Sequence, residues 1–397
     1  MKTVTLREIT LNITDGKHGD CEPAENSGYY FVSCKDVNNG TIDYANARQI
    51  SERAFLETHK RTQLEPNDIL ITNSGTIGRM ALVKDIPETY RTTFQKSVAI
   101  VKPDISVVLP TYLYYKLQNC VTDFVNCSNG SAQKNLLLGT MRKFQIDLHE
   151  DFAEQERLSS ILAAYDNLIE NNQKQIKLLE EAARRLYKEW FVNFRFPGYE
   201  DTSIVDGVPE GWTLGELGDI AIDSGKKEKK EHRRQYQYYL PIDCLPKRSL
   251  AYTDKNDITL AESSLVAFMP NDILFGAMRP YFHKVVVARD KGLTRTTCFV
   301  INSKMPAYWA YLLLLLFSKD TVDYATQISV GTTMPYVRWK DFIHMPTLIP
   351  PEEKCDAFQA IVLPIIERIS CLAVSSERLI QARDRLLPKL MSGEIEV

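Results

Sequence analysis

The side chains with the most chemistry to offer lie in two pairs of loops. Thr72-Asn73-Ser74-Gly75-Thr76-Ile77-Gly78-Arg79 sets hydroxyls, an amide and a guanidinium on a glycine-rich turn after an apolar stretch. Such groups suit hydrogen bonds to phosphate oxygens and base edges, although an ordinary tight turn with polar surface residues would look the same. About 200 residues later, Gly276-Ala277-Met278-Arg279-Pro280-Tyr281-Phe282-His283-Lys284 keeps the cationic character and changes every neighbour. The second pair is Gly130-Ser131-Ala132-Gln133-Lys134-Asn135 against Gly331-Thr332-Thr333-Met334-Pro335-Tyr336. Gln and Asn can hold adenine through two hydrogen bonds, whereas Met and Tyr offer apolar or single contacts. The most basic run is Lys226-Lys227-Glu228-Lys229-Lys230-Glu231-His232-Arg233-Arg234. A run of this kind is usually a solvated loop, and phosphate contact is the alternative. The candidate contacts are therefore Thr72, Asn73, Ser74, Thr76, Arg79, Gln133 and Lys134 in the first half. In the second half they are Lys230, Arg233, Arg279, Tyr281, Lys284, Thr332, Thr333, Tyr336 and Arg338.

Catalytic motifs are missing from the sequence. It holds no dinucleotide fingerprint, phosphate-binding P-loop, H-E-x-x-H pair or nucleophile elbow. Ile349-Pro350-Pro351 resembles the proline pair of an amino-methyltransferase motif but lacks the preceding Asn or Asp, so a helix start is the better reading. Eight cysteines form no C-x-x-C pair and six histidines lie far apart, which predicts reduced, buried thiols and no zinc framework. A net charge of −3 disfavours unaided DNA binding, because phosphates are usually neutralised by a basic excess. With 44% hydrophobic and 25% charged residues, the composition is that of a soluble globular protein. Met1 to Gly16 is polar throughout, and the longest apolar run, Tyr308 to Phe317, is about half what a bilayer needs. A cytoplasmic protein without a membrane partner is expected.

The loops must be positioned by something, and the sequence supplies a repeated frame. Leu158, Leu162, Tyr165, Ile169, Ile176, Leu179, Ala183, Leu186 and Trp190 alternate four and three apart, with Asn172 as a polar interruption that would fix register. Phe358, Val362, Ile365, Ile369, Leu372, Leu379, Leu386 and Leu390 repeat the alternation, with Ser376 and Arg383 as exceptions. These are two heptad seams at a constant offset, so the chain reads as a duplication. Pro66-Asn67-Asp68-Ile69-Leu70 returns as Pro270-Asn271-Asp272-Ile273-Leu274, and Pro110-Thr111-Tyr112 as Pro306-Ala307-Tyr308.

Short strands are predicted at 29–32, 68–72, 80–83 and 97–101, with a helix after Pro110. The first seam helix should start near Asp151 and stop by Pro197-Gly198. The second opens at Pro350-Pro351-Glu352, with a kink or a late start at Pro364. The resulting division is a mixed α/β domain at 1–150, a central helix at 151–196, a second domain at 197–350 and a distal helix at 351–397. The fold class is α+β: two duplicated domains separated by a pair of long antiparallel coiled-coil helices, related by a pseudo-twofold. The first seam would span roughly 50 Å.

The Asn-Asp-Ile-Leu strand, the Ser-Gly-Thr-Ile-Gly-Arg or Arg-Pro-Tyr loop after it, the Gly-Ser-x-Gln segment, the Val208-Pro209-Glu210-Gly211-Trp212 linker and the two long helices resemble the DNA-specificity subunit of type I restriction-modification systems. The resemblance covers nearly the whole chain, and the order of elements carries it. It implies a non-catalytic reader of a split double-stranded DNA target, with one target-recognition domain for each half. It also implies two adenine-methylating subunits, which would bring S-adenosylmethionine, and translocating endonuclease subunits, which would bring ATP and magnesium. No cofactor is expected on this chain. The specificity subunit of a two-component type II system would look alike. Met334 departs from the pattern, which puts Gln there.

Overall fold

The computed structural model describes residues 1–38, 40–130 and 134–395. Its chain divides into two compact units, Met1–Asn167 with Ile380–Val397, and Leu168–Leu379.

In the first unit, β1 (Lys2–Thr5) pairs with a strand late in the unit, and β2 (Thr10–Asp15) begins the main sheet. That sheet also contains β3 (Ile69–Thr72), β4 (Met80–Leu82) and β5 (Val98–Pro103), in the antiparallel order β2-β5-β3-β4. The partner of β1 is β6 (Gln145–Leu148). In the second unit, β7 (Thr213–Glu216) precedes β8 (Ala221–Asp223), β9 (Ile273–Gly276), β10 (Val285–Val287) and β11 (Cys298–Ser303). Their order, β8-β11-β9-β10, is the same, and β7 pairs with β12 (Pro346–Ile349) as β1 pairs with β6. β3 and β9 are buried along their whole length, which is why both read as unbroken apolar runs instead of alternating.

The repeat extends to single hydrogen bonds. Asn67 (φ 73°) and Asn271 (φ 70°) take the left-handed conformation that Asn tolerates best after Gly. The following aspartates close the turn, Asp68 accepting from the Glu65 amide at 2.9 Å and Asp272 from the Met269 amide at 2.8 Å. Burial raises both carboxyls above the usual carboxylate value. The compensating donors differ: the Lys102 ammonium reaches Asp68 at 2.7 Å, while the Asn302 amide reaches Asp272 at 3.1 Å.

Among the helices, α1 (Glu52–Thr62) and α2 (Pro110–Asn119) belong to the first unit. The long helix α3 (Phe152–Tyr187) runs into a π-helical turn, Lys188–Val192. In the second unit α4 (Trp309–Leu316) and α5 (Lys319–Gln327) pack beside the sheet, and the 41-residue α6 (Glu352–Ser392) closes the chain.

Each unit contains a segment of α3 and a segment of α6, and in each the two run antiparallel. In the second unit the Asn172 amide donates to the Ser375 hydroxyl at 3.3 Å, and in the π-helical turn that follows α3 the Trp190 ring lies 5.5 Å from the Phe358 ring, further back along α6. In the first, Arg383 pairs with Asp166 at 2.6 Å, and the Tyr115 hydroxyl donates to the same carboxylate at 2.6 Å. Leu158 and Leu162 share a buried core there with Leu390 and Met391, and the buried Lys116 ammonium donates to the Met391 carbonyl at 2.6 Å.

Two expectations are corrected. α6 starts at Glu352 and continues through Pro364, so the late start is not seen; burial of Phe358, Val362, Ile366 and Ile369 around the proline offsets the lost hydrogen bond. The cysteines are free but not uniformly buried: Cys127 and Cys371 are exposed, and Cys34, Cys120 and Cys244 are half-buried. α6 is also the one helix among the described residues that is long and apolar enough to cross a bilayer, with a mean hydropathy of 1.7 over 18 residues. Its apolar stripe is occupied by the core of the second unit. The linker ending in Trp212 is likewise anchored, its indole packed 5.8 Å from the Phe191 ring and 5.3 Å from that of Phe196.

A pH dependence follows from Asp272. Its folded pKa lies above the usual 3.8, so the folded state retains a proton that the unfolded chain has released. The contribution to stability is full below the unfolded value and is lost as pH rises through the raised one. Asp272→Asn is expected to flatten that part of the curve when urea unfolding is measured between about pH 3 and about pH 7. An unchanged slope would show that Asp272 titrates normally.

Candidate nucleic-acid interface

The two loop pairs that are distant in sequence are joined in space, once in each unit. After β3 the chain pairs Ser74 with Asn135 across an antiparallel bridge, and Asn135 pairs again with Asn129. After β9, Met278 pairs with Tyr336 and Tyr336 with Val330. Asn73 donates its amide to the Ser97 carbonyl and accepts from the Leu136 amide; Ala277 does the same with Thr297 and Val337. Gly130 (φ 108°) and Gly331 (φ 105°) open the two turns in a conformation only glycine takes without strain. Each unit thus presents a double loop joined by the same backbone pairings and carrying a different set of side chains.

In the first unit the loop is closed by Thr72, whose hydroxyl donates to the Thr76 carbonyl at 2.5 Å and accepts from the Arg79 amide at 2.9 Å. Thr72 and Asn73 are buried, so these two candidate contacts shape the loop instead of reaching solvent. Ser74 is half-buried, whereas Thr76, Arg79 and Lys134 are exposed. Gln133 lies outside the described residues. A cleft of about 350 Å³ adjoins the loop, lined by Ser74 and Asn135 together with His18, Cys34, Gln95 and Lys96. His18, Gln95 and Lys96 were not anticipated: they arrive through the pairing of Lys17 with Gln95, which no local pattern signals.

In the second unit Arg279 is part of the frame. Its amide donates to the Pro335 carbonyl at 2.7 Å and its guanidinium to the Thr333 carbonyl at 3.2 Å, tying one loop to the other. Tyr281, Thr332 and Thr333 are exposed, and Tyr336 is half-buried beside Phe299. Other candidates are engaged elsewhere. Lys284 donates to the Ile242 carbonyl at 2.6 Å, and burial lowers its pKa. Arg338 pairs with Asp341 at 2.5 Å, and Lys230 and Arg233 both pair with Glu262. In the same basic run Glu228 accepts from the Tyr236 hydroxyl, the Lys229 amide and His232, which together hold its carboxyl down to about 2. The run is therefore an internally paired strand and turn, with Lys226, Lys227, Lys229 and Arg234 left exposed. Among the described residues, no group of His, Cys, Asp and Glu is placed to hold a metal ion.

The two units thus repeat one scaffold and differ in the polar side chains their loops carry. Residues 15–181 match the family described as the type I restriction modification DNA specificity domain. The MjaIX type I specificity subunit of Methanocaldococcus jannaschii is 28% identical over 390 residues, covering 92% of this chain and 87% of that protein. The EcoBI type I specificity subunit of Escherichia coli is 26% identical over 228 residues, covering 54% of this chain and 47% of its own. The crystal structure of a type I S subunit from M. genitalium has the same fold, with a TM-score of 0.57, 13% identity, and coverage of 98% of this chain and 95% of that one. The resemblance to type I DNA-specificity subunits is borne out.

Three substitutions separate framing from reading. The Asn73 side-chain oxygen is buried with no partner among the described residues, and the corresponding position in the second unit is Ala277. Asn73→Ala is expected to leave the melting temperature unchanged or to raise stability by about 1 kcal/mol, because it removes an unpaired buried carbonyl. Arg79→Ala should leave folding intact and weaken cognate DNA by roughly 1 to 3 kcal/mol if the guanidinium reads a guanine edge. Equal weakening of a scrambled duplex would assign it to phosphate instead. Arg279→Ala should reduce cognate binding and also loosen the 331–336 turn, seen as faster amide exchange there.

Proposed function

We propose that this chain is the sequence-reading subunit of a type I restriction-modification assembly, with the double loop of each unit reading one half of a split DNA target. The observation that carries this is the pair of double loops, which share the backbone pairings that join one loop to the other and differ in exposed side chains. The family match covers the first of them, and the duplication extends the reading to the second. Domains at 1–150 and 197–350 are the readers, and the helices at 151–196 and 351–397 set the gap between half-sites. Half-sites one turn of B-DNA apart, about 34 Å, lie within what helices of this length can span.

The chain performs no chemistry and binds no cofactor. Two methyltransferase subunits carry S-adenosylmethionine and methylate adenine; endonuclease subunits carry ATP and magnesium. The relatives named above are type I proteins, which favours this assembly over a two-component type II system. The chain's net charge of −3 supports a need for cationic partners in the cytoplasm to neutralise DNA phosphates. Alone, it should bind a specific duplex weakly; nanomolar binding by the isolated chain in physiological salt would contradict this.

The reading is tested by exchange. Replacing residues 212–349 with the matching segment of a relative, both seams kept, is expected to change one half of the methylated sequence and leave the other half and the gap as they were. Sequencing of methyladenine in cells carrying the hybrid reads the outcome. A change in both halves, or a moved gap, would show that recognition is not divided between the units.

A further inference from the structure

Beside the Arg279–Lys284 loop, the second unit holds a short segment in an unusual and well-braced conformation. Glu180 of α3 is buried, and one of its carboxylate oxygens accepts from the Ser249 hydroxyl and the Leu250 amide, both at 2.7 Å. On the other side the Arg248 amide donates to the His283 carbonyl at 2.8 Å. Between these anchors Arg248 lies in the left-handed region (φ 56°), as does His283 (φ 53°), where a non-glycine residue persists only if its surroundings impose it.

The cost of this conformation presents cations. Arg248 is exposed, as are Lys247, whose ammonium lies 4.4 Å from the Phe282 ring centre, and Arg184, whose guanidinium lies 6.0 Å from the Phe317 ring. Phe317 in turn packs 5.0 Å from the His283 ring. Among the described residues, none of the three cations has a hydrogen-bonded or ion-paired carboxylate. Of the carboxylates nearby, Glu180 holds the segment and Asp323 pairs with Lys319. The rings of Phe282 and Phe317 leave the Lys247 ammonium and the Arg184 guanidinium open on the solvent side.

We infer that Lys247, Arg248 and Arg184 form a preorganised clamp for the sugar-phosphate backbone of DNA at the flank of the Arg279–Lys284 loop. The inference rests on the reading of that loop as a base-contacting element. A strand whose bases meet the loop must carry its phosphates past the loop's edge, and phosphate contacts of this kind set register without carrying sequence. An acidic protein surface is the competing occupant, and the experiment distinguishes the two.

Full-length chain assembled with its methyltransferase subunits is titrated with two labelled duplexes, the target mapped by methyladenine sequencing and a scrambled one, over a series of salt concentrations. Arg248→Gly suits the left-handed backbone and should fold; Lys247→Gln and Arg184→Gln remove charge at exposed sites. Each is expected to weaken both duplexes alike, by roughly threefold to tenfold, and to make the slope of log affinity against log salt shallower by about 0.9. Arg248→Lys should recover most of the loss. Unchanged affinity and slope in the variants would overturn the clamp, as would loss confined to the target duplex. Reduced assembly with unaltered DNA affinity would assign the patch to a protein partner and also overturn it. Failure of the underlying reading looks different: the unmodified assembly would then not prefer its target.

Discussion

The antiparallel contact between α3 and α6 is what the rest of the chain depends on. Neither helix belongs to one unit; each gives its first part to one core and its last part to the other. Apolar burial supplies the attraction along the seam, about 25 cal/mol for each Å² removed from water, but burial alone would tolerate a slip by a heptad. The polar interruptions resist it. Asn172 against Ser375, and Arg383 against Asp166 with Tyr115, each have a partner in only one alignment. Sliding the helices would strand a half-buried ion pair, which costs far more than exchanging one leucine contact for another.

Duplication has been kept unequally in the two halves. What is preserved is the part that sets backbone direction: the left-handed Asn before the strand, the buried Asp that closes its turn, the glycine at the mouth of the second loop. What has changed is the compensation around that frame. Lys102 neutralises Asp68 where Asn302 merely hydrogen-bonds Asp272, and the orphaned Asn73 corresponds to Ala277. A frame held by main-chain bonds can exchange its exposed side chains without refolding, which is the property a reader of varied sequences needs.

The seams and the apolar strands were legible because burial on one helical face or on both sheet faces leaves a regular trace. The continuous β3 and β9, the helix at Pro110 and the repeat offset all have that origin. Elements lacking such a trace were missed. β2 shows only Ile13 as a buried large side chain, and α1 hides its start in an unremarkable Ser51, whose hydroxyl caps the Ala54 amide. Pro364 misled because a local penalty was weighed without the tertiary packing that overrides it. Individual contacts were the least legible. Lys230, Arg233 and Arg338 look available in sequence, yet each is paired with a carboxylate, and for Lys230 and Arg233 that partner, Glu262, lies about thirty residues away. Conversely, Arg248 owes its exposure to Glu180 and His283, both remote in the chain.

The bond from Lys116 to the Met391 carbonyl joins residues 275 positions apart. Leu390 and Met391 complete a core whose other members, from Val4 to Leu162, all precede the second unit in the chain. On a ribosome, therefore, the first unit is made first and finished last. Until α6 emerges, the apolar surface that it covers is open to water and to other chains, and the second unit has time to fold around its own segment. A nascent or truncated polypeptide lacking the end of α6 is thus exposed to aggregation at its oldest domain, and quality control acting on that surface would register whether synthesis had passed the end of α6.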